Sequence, residues 1–257
     1  MPELQNSSLY PDILFHFTDK NGLFRLLEST FKVSYARERI EGKQTVKSFG
    51  IPMISFCDLK LSELKVHMGK YGSYGIGMTK EWANRKGLNP VWYVNKYCNF
   101  ADEFSLALDG IFTAWDVEEN AERVARLSDD YMRIVNTYRY IKNYEGTLIR
   151  QGEQTPNFRF ADEREWRFVP PIGTKGVLPF VPVEKIATQE QKAAYNDKID
   201  VSLHFTPDDI KYLIVNDDNE ITELINHLRV HKDRFEPSVI DRLASRILTA
   251  KQINNDM

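Results

Sequence analysis

Asp162-Glu163-Arg164-Glu165-Trp166-Arg167-Phe168 is the stretch on which the reading of the fold turns. Taken as a strand, its side chains alternate between faces. Glu163, Glu165 and Arg167 then share one side, and Arg164, Trp166 and Phe168 share the other. The segment is a strand with an aromatic back and two carboxylates projecting together. Acids that close repel, so one has a raised pKa unless a cation or a hydrogen bond relieves them. Sites that cleave glycosidic bonds use such a pair, because a carboxylate steadies developing oxocarbenium charge. The alternative is a solvated face whose acids pair with Arg167 and Arg164.

Outward from this strand, the chain predicts others over 178–183, 201–205 and 212–215. Two helices follow within residues 219–250, over 221–230 and 238–249, with Pro237 at or before the first turn of the second. Toward the start, strands are predicted over 13–17, 31–35, 52–57 and 91–94. Thr18 or Asp19 can cap a helix carrying Leu23, Leu26 and Leu27, and Thr79 caps another through Arg85. Residues 58–68 read as a helix, and the charged run 38–49 reads as a loop. Gly72, Gly75 and Gly77 lie among Tyr71 and Tyr74, where glycine permits close backbone approach. In the middle, Val117, Ala121, Val124, Leu127, Tyr131, Ile134, Tyr138 and Ile141 fall on one stripe. They predict one long helix over 116–145 that Gly146 ends. Irregular spacing between strands predicts a mixed α+β fold, in one domain over 1–257, rather than a doubly wound parallel sheet.

Bulk properties exclude some classes. A net charge of -3 gives no global basic field for nucleic acid. Cys57 and Cys98 make neither a disulfide framework nor a zinc spacing. Residues 1–10 lack the charged start and apolar run of a signal peptide. No apolar stretch approaches the roughly 20 residues needed to span a bilayer. A cytoplasmic protein that does not enter the membrane is expected.

Several chemistries lack their motifs. There is no G-x-x-x-x-G-K-[ST], no G-x-S-x-G and no H-E-x-x-H. Lys80 stands where G-x-G-x-x-G needs its last glycine. Ser62-Glu63-Leu64-Lys65 matches S-x-x-K but reads as a solvated helix start. His227 and His231 lie at i, i+4 on a helix and could hold a metal; no third ligand is visible, so no metal site is expected. His16 sits inside an aromatic strand, where it must be a satisfied core residue or a site residue. Arg133, Tyr138, Arg139, Tyr140, Lys142, Tyr144, Arg150, Phe158 and Arg159 interleave bases with aromatics, as a nucleic-acid surface would.

Three pieces together carry a resemblance. They are Leu14-Phe15-His16-Phe17-Thr18, the run from Pro52-Met53-Ile54-Ser55-Phe56-Cys57-Asp58 into Tyr71 through Trp82, and Glu163-Arg164-Glu165-Trp166-Arg167. The pattern resembles the AbiGi-type abortive-infection family of phage-defence proteins. It is also similar to the ADP-ribosyltransferase superfamily, in which a first strand carries His, a middle strand Ser or Tyr, and a late strand E-x-E. That resemblance implies a split mixed β-sheet with a long helical insertion at 116–145 and C-terminal helices. It implies NAD as substrate, with His16, Phe17 and Thr18 on the first strand and Ser55, Tyr71 or Tyr74 at the nicotinamide. Glu165 would be the catalytic acid, Glu163 its partner, and Arg37, Arg39 or Lys43 would meet the pyrophosphate. His16-Phe17 replaces the usual His-Gly, and no Ser-Thr-Ser surrounds Ser55.

The implied function is an ADP-ribosyltransferase effector of phage defence that modifies a macromolecule, nucleic acid slightly ahead of protein, under restraint by a cognate antitoxin or inhibitor protein. The alternative follows from the antitoxin label that the family carries. It is a non-enzymatic antitoxin or regulator that binds a partner protein or nucleic acid through the long helix or the C-terminal helices. A metal-dependent hydrolase or nuclease built on the acid pair is a third reading.

Overall fold

Short polar side chains set the first helix where the sequence places it. In the computed structural model, which describes residues 11–150, 152–231 and 235–256, β1 (Ile13–Thr18) enters α1 (Lys20–Glu28) through Asp19. The Asp19 carboxylate accepts the Gly22 N–H at 2.6 Å. The expectation about a signal peptide concerns residues 1–10, outside the described residues. After β2 (Phe31–Lys32) comes a long hairpin, β3 (Ser34–Glu41) and β4 (Val46–Cys57). The loop expected over 38–49 is thus mostly strand. Arg37, Glu38 and Arg39 line a cleft, so charge there marks a polar wall rather than irregular chain.

Next are α2 (Leu64–Tyr71), β5 (Tyr74–Thr79), α3 (Lys80–Arg85), β6 (Asn89–Pro90) and β7 (Trp92–Val94). Thr79 caps α3 by accepting the Trp82 N–H at 3.1 Å. The single helix expected over 116–145 is corrected to two, α4 (Phe100–Asp116) and α5 (Ala121–Tyr138). Asn120 breaks the run by capping α5 through the Arg123 N–H. Beyond α5 the stripe residue Ile141 belongs to β8 (Ile141–Asn143), and Gly146 opens β9 (Gly146–Arg150) instead of ending a helix.

β10 (Glu153–Phe158), β11 (Glu165–Phe168) and β12 (Val181–Pro182) lead to α6 (Gln189–Asn196), β13 (Ser202–Leu203) and β14 (Ile210–Val215). The chain closes with α7 (Ile221–Val230), α8 (Pro237–Ala244), β15 (Ile247–Thr249) and α9 (Ala250–Asp256). The helix expected over 238–249 stops at Ala244, because residues 247–249 are taken by a parallel pairing with β14.

The fold is mixed α+β. Its main sheet runs β15-β14-β5-β1-β4-β11-β6, with β3 and β12 also on β4. Antiparallel pairing dominates; β14 with β15 is parallel. Period-two alternation fills both faces. Leu14, Ile76, Met78, Leu213 and Val215 pack under α1, α3, α7 and α8 around the buried Trp82. Phe15, Cys57 and Ile214 pack on the other face against Leu64 and Met68 of α2 and Ile253 of α9. The glycine alternation of β5 has its reason here. A Cβ on Gly77 would stand 2.9 Å from the Phe15 ring and one on Gly75 3.0 Å from the Phe17 ring, so bare backbone makes room for both aromatics.

At the far end, α4 and α5 pack on β3 and β8 through Ile40, Ala101, Tyr138 and Ile141. Asp102 fastens the hairpin tip. Its carboxylate accepts from the Thr45 hydroxyl and from the N–H groups of Lys43, Gln44 and Thr45, which lowers its pKa. Among the described residues, no helix is long and apolar enough to cross a membrane.

Candidate functional site

β1 and β4 pair at Phe15 and Cys57 and then part. The gap opens a cleft of about 600 Å³. Its walls are β1, β3, the end of β4, α2, β8, β9 and the chain entering β11.

The glutamate pair lies in this cleft by a route that strand alternation does not describe. β11 begins at Glu165, and Arg164 before it is left-handed, with φ 44°. Glu163 therefore projects from a 3-10 turn over residues 160–163, and the two acids meet across a backbone reversal. Both are buried, at 5 % and 6 % exposure. Arg164 leaves the pair and turns to Glu63, donating to both its carboxylate oxygens at 2.9 and 2.8 Å.

One buried and one half-buried cation relieve the acids. Arg167, wholly buried, donates from Nε to Glu165 Oε1 at 2.6 Å and from its terminal nitrogen to Glu38 Oε1 at 2.9 Å. Lys142 Nζ donates to Glu165 Oε2 at 2.6 Å and to Glu163 Oε2 at 3.0 Å. Tyr71 donates its hydroxyl to the other oxygen of Glu163. Tyr93 takes the Glu165 N–H at 2.8 Å. Burial pushes the Glu165 carboxyl up, but Arg167 and Lys142 outweigh it and hold the pKa at about 2. Burial likewise opposes the charge on Lys142, and Glu165, Glu163 and Glu38 overcome it, so its pKa stands well above the usual lysine value. Glu38 goes the other way. Its burial dominates and raises its pKa. Three carboxyls face two cations, and Glu38 is the acid that burial drives toward neutrality.

The residues proposed from sequence separate into two groups. His16, Phe17, Ser55, Tyr71, Glu163 and Glu165 line one cleft, as do Arg37 and Arg39; Thr18, Tyr74 and Lys43 do not. Tyr74 turns outward to Glu220, donating its hydroxyl at 2.8 Å. Thr18 pairs with Tyr74 in the register of β1 on β5. His16 Nδ1 lies 2.8 Å from the Ser55 carbonyl, and its ring packs on Phe31 and Phe56; burial lowers its pKa. The Tyr71 ring is already engaged. It stacks on His67 at 4.3 Å, and the Arg150 guanidinium lies 4.4 Å from its centroid. Burial, then Lys142 and Arg150, depress the His67 pKa to about 4, so this imidazole is neutral at pH 7.

Sequence reasoning missed Lys142 as a member of the site, together with Glu38 and His67. One signal pointed toward Lys142: a buried acid pair demands a cation, and the chain offered one between the long helix and the pair. The basic–aromatic set is divided: Arg133, Tyr144, Arg150 and Arg159 are exposed, while two members lie inside. Arg139 is 1 % exposed and donates to the Pro170 carbonyl at 2.9 Å, and Tyr138 is in the core.

Chemically, the cleft holds a charged network with both Glu165 oxygens committed to cations. Comparisons with known proteins place it in context. Residues 26–216 match a family described as "Putative abortive phage resistance protein AbiGi, antitoxin". An abortive phage resistance protein AbiGi of Lactococcus lactis subsp. cremoris is 26% identical over 232 residues, covering 82% of this chain and 90% of that protein. No solved structure matches the chain.

Proposed function

This chain belongs to the AbiGi family of abortive phage resistance proteins, and on that premise we propose that it is the restraining member of an abortive-infection pair, which binds and neutralises a cognate toxin protein. The observation that carries this reading is the match of residues 26–216 to a family described as an antitoxin. It overturns the expectation of an ADP-ribosyltransferase effector acting on a macromolecule through NAD. The alternative weighed beside that expectation takes its place.

The state of Glu165 agrees with the change. A carboxylate that steadies an oxocarbenium ion must offer an oxygen to the sugar. Here Arg167 and Lys142 hold both oxygens, at 2.6 Å each. The network ties β3, β8 and β11 together, which suits a scaffold. The ADP-ribosyltransferase-like form of the sheet is kept as a proposal about architecture alone, supported by the parting of β1 from β4 beside the glutamate strand.

Partner binding calls for a surface, and α4 supplies one. A helix apolar all round is a buried helix. The inner side of α4 buries Ala101, Ser105 and Leu108, yet its outer side carries Leu106, Ala107, Gly110, Ala114 and, just past its end, Val117, all exposed. Leu106 and Val117 are 60% and 71% accessible, and nothing lies within 4 Å of a Cβ placed on Gly110. The neighbouring α5 shows water Arg126, Asp130 and Arg133 instead. A protein partner fits this face better than nucleic acid, since the charges exposed along α4, Glu103, Asp109 and Asp116, are all acidic and repel phosphates.

Co-expression with the toxin of its pair tests both parts. Wild type should restore growth, and Leu106→Asp with Val117→Asp should reduce rescue by about tenfold or more, the scale of losing interface anchors. Failure of wild type to rescue defeats the antitoxin reading. Full rescue by the double variant removes α4 as the contact.

A further inference from the structure

The C-terminal ends of α1 and α7 meet at three side chains that the charged cleft does not use. Glu28 is the last residue of α1. His227 is in the last turn of α7, and His231 follows its end. His227 Nε2 and His231 Nε2 each lie 3.7 Å from the same oxygen of Glu28. One ligand atom from each residue lies within 4.8 Å of the other two. The histidines stand one above the other, ring centroids 4.8 Å apart, and Phe24 packs on His227 at 4.6 Å. The i, i+4 pair seen in the sequence thus has its third donor 199 positions away on another helix.

We propose that Glu28, His227 and His231 bind one divalent transition-metal ion, zinc by the chemistry of two imidazoles and a carboxylate, and that the ion fastens α1 to α7. Three observations carry the inference. First, donor type and number match a three-ligand zinc site whose fourth position stays open to water or a partner's side chain. Second, with two sides of 3.7 Å and a third of at most 4.8 Å, the donor atoms surround a point no more than about 2.4 Å from each, against about 2.0–2.2 Å for zinc–nitrogen and zinc–carboxylate bonds, so small rotamer adjustments close the site. Third, two helices direct their negative C-terminal ends at a carboxylate. Glu28 is unfavourable there for α1, and a cation reverses the sign of that interaction. His227 Nε2 now lies 3.2 Å from the Phe24 carbonyl. Metal at this nitrogen displaces its proton to Nδ1. Both histidines lie beyond residue 216, where the family match ends, and Glu28 lies within it; the inference does not rest on the antitoxin reading.

The test uses the full chain, stripped with chelator and titrated with zinc chloride by calorimetry, with cobalt(II) absorption as a second readout. Wild type should bind one ion at micromolar or tighter affinity and melt several degrees higher with zinc present. His231→Ala and Glu28→Gln should each weaken binding by about tenfold or more and abolish the thermal shift. Glu28 and His231 are partly exposed, so both variants should fold, with circular dichroism as the check. No binding below about 1 mM, or wild-type affinity in both variants, overturns the proposal.

Discussion

Lys142 holds the charged cleft together, although it occupies a three-residue strand that the sequence does not announce. Its ammonium bridges Glu163 and Glu165 and lies 4.9 Å from the Phe160 ring. Removing one partner of a buried ion network leaves uncompensated charge. Lys142→Met should therefore cost about 3–5 kcal/mol, read as a lower urea midpoint at unchanged slope. Adding Glu163→Gln to that variant should recover part of the loss, because the repulsion between the acids is then gone. If Lys142→Met unfolds at the wild-type midpoint, the network contributes nothing to the fold. The pKa shifts fix the sign of the pH dependence. The Glu165 pKa falls from an ordinary 4.5 to about 2 on folding. Its stabilisation is complete above pH 4.5 and is lost as pH falls from there through 2. Glu38, with its pKa raised, acts in the opposite sense and favours the fold at low pH. Denaturant midpoints measured from pH 6 to 2.5 should fall for wild type and fall less steeply for Glu165→Gln. Parallel curves would show that Glu165 does not set the acid limb.

Gly72 decides how α2 hands over to β5. It has φ 105°, and a Cβ there would stand 2.7 Å from the Thr18 carbonyl oxygen. Gly72→Ala combines a strained backbone with a clash against main chain, so a loss of about 1–3 kcal/mol is expected. Gly69, in the same helix, meets nothing within 4 Å. Gly69→Ala should stabilise by about 0.5–1 kcal/mol through helix propensity. Opposite shifts in melting temperature check the pair; equal shifts would refute the argument from backbone geometry. Tight turns and caps were the legible part of the chain. Asp19 and Thr79 cap where short polar side chains precede apolar periodicity, and Pro237 opens α8. What stayed hidden has physical causes. α4 carries apolar residues on its exposed side as well as its buried one, so its periodicity is blurred. β3 is charged because it walls a polar cleft, and charge resembles loop. Glu165 and Arg167 share a face as alternation requires, but the left-handed Arg164 carries Glu163 out of register, and no periodicity reveals one such residue. The gathering of His16, Ser55 and the two glutamates in one cleft was implied by the resemblance to ADP-ribosyltransferases, not by the residues alone. Of their two cationic partners, Arg167 was legible two residues beyond Glu165 on the same strand face, whereas Lys142 reaches them through tertiary packing.

Across the molecule, the chain after residue 216 completes the sheet that the earlier segments begin. β15 adds the strand beside β14, and α9 lays Ile253 against Leu64 and Met68 of α2. That helix carries His67 and Tyr71 into the cleft, so the end of the chain and the acid pair are linked through one element. Ile253 is 1% exposed, and Ile253→Ala should cost about 2–5 kcal/mol through lost burial and the cavity it leaves. The loss should be uneven. α4 and α5 rest on a separate cluster around Leu108, Tyr131 and Val135, which shares no residue with the cluster around Ile253. Hydrogen exchange in Ile253→Ala should then show faster opening of α2 and β15 amides, while α5 amides keep wild-type protection up to the new global limit. Tyr71 would loosen with α2, because its hydroxyl contact with Glu163 depends on where that helix sits. Uniform loss of protection in α2 and α5 would mean instead that the two clusters open as one cooperative unit, and the link from the last helix to the cleft would carry no local meaning.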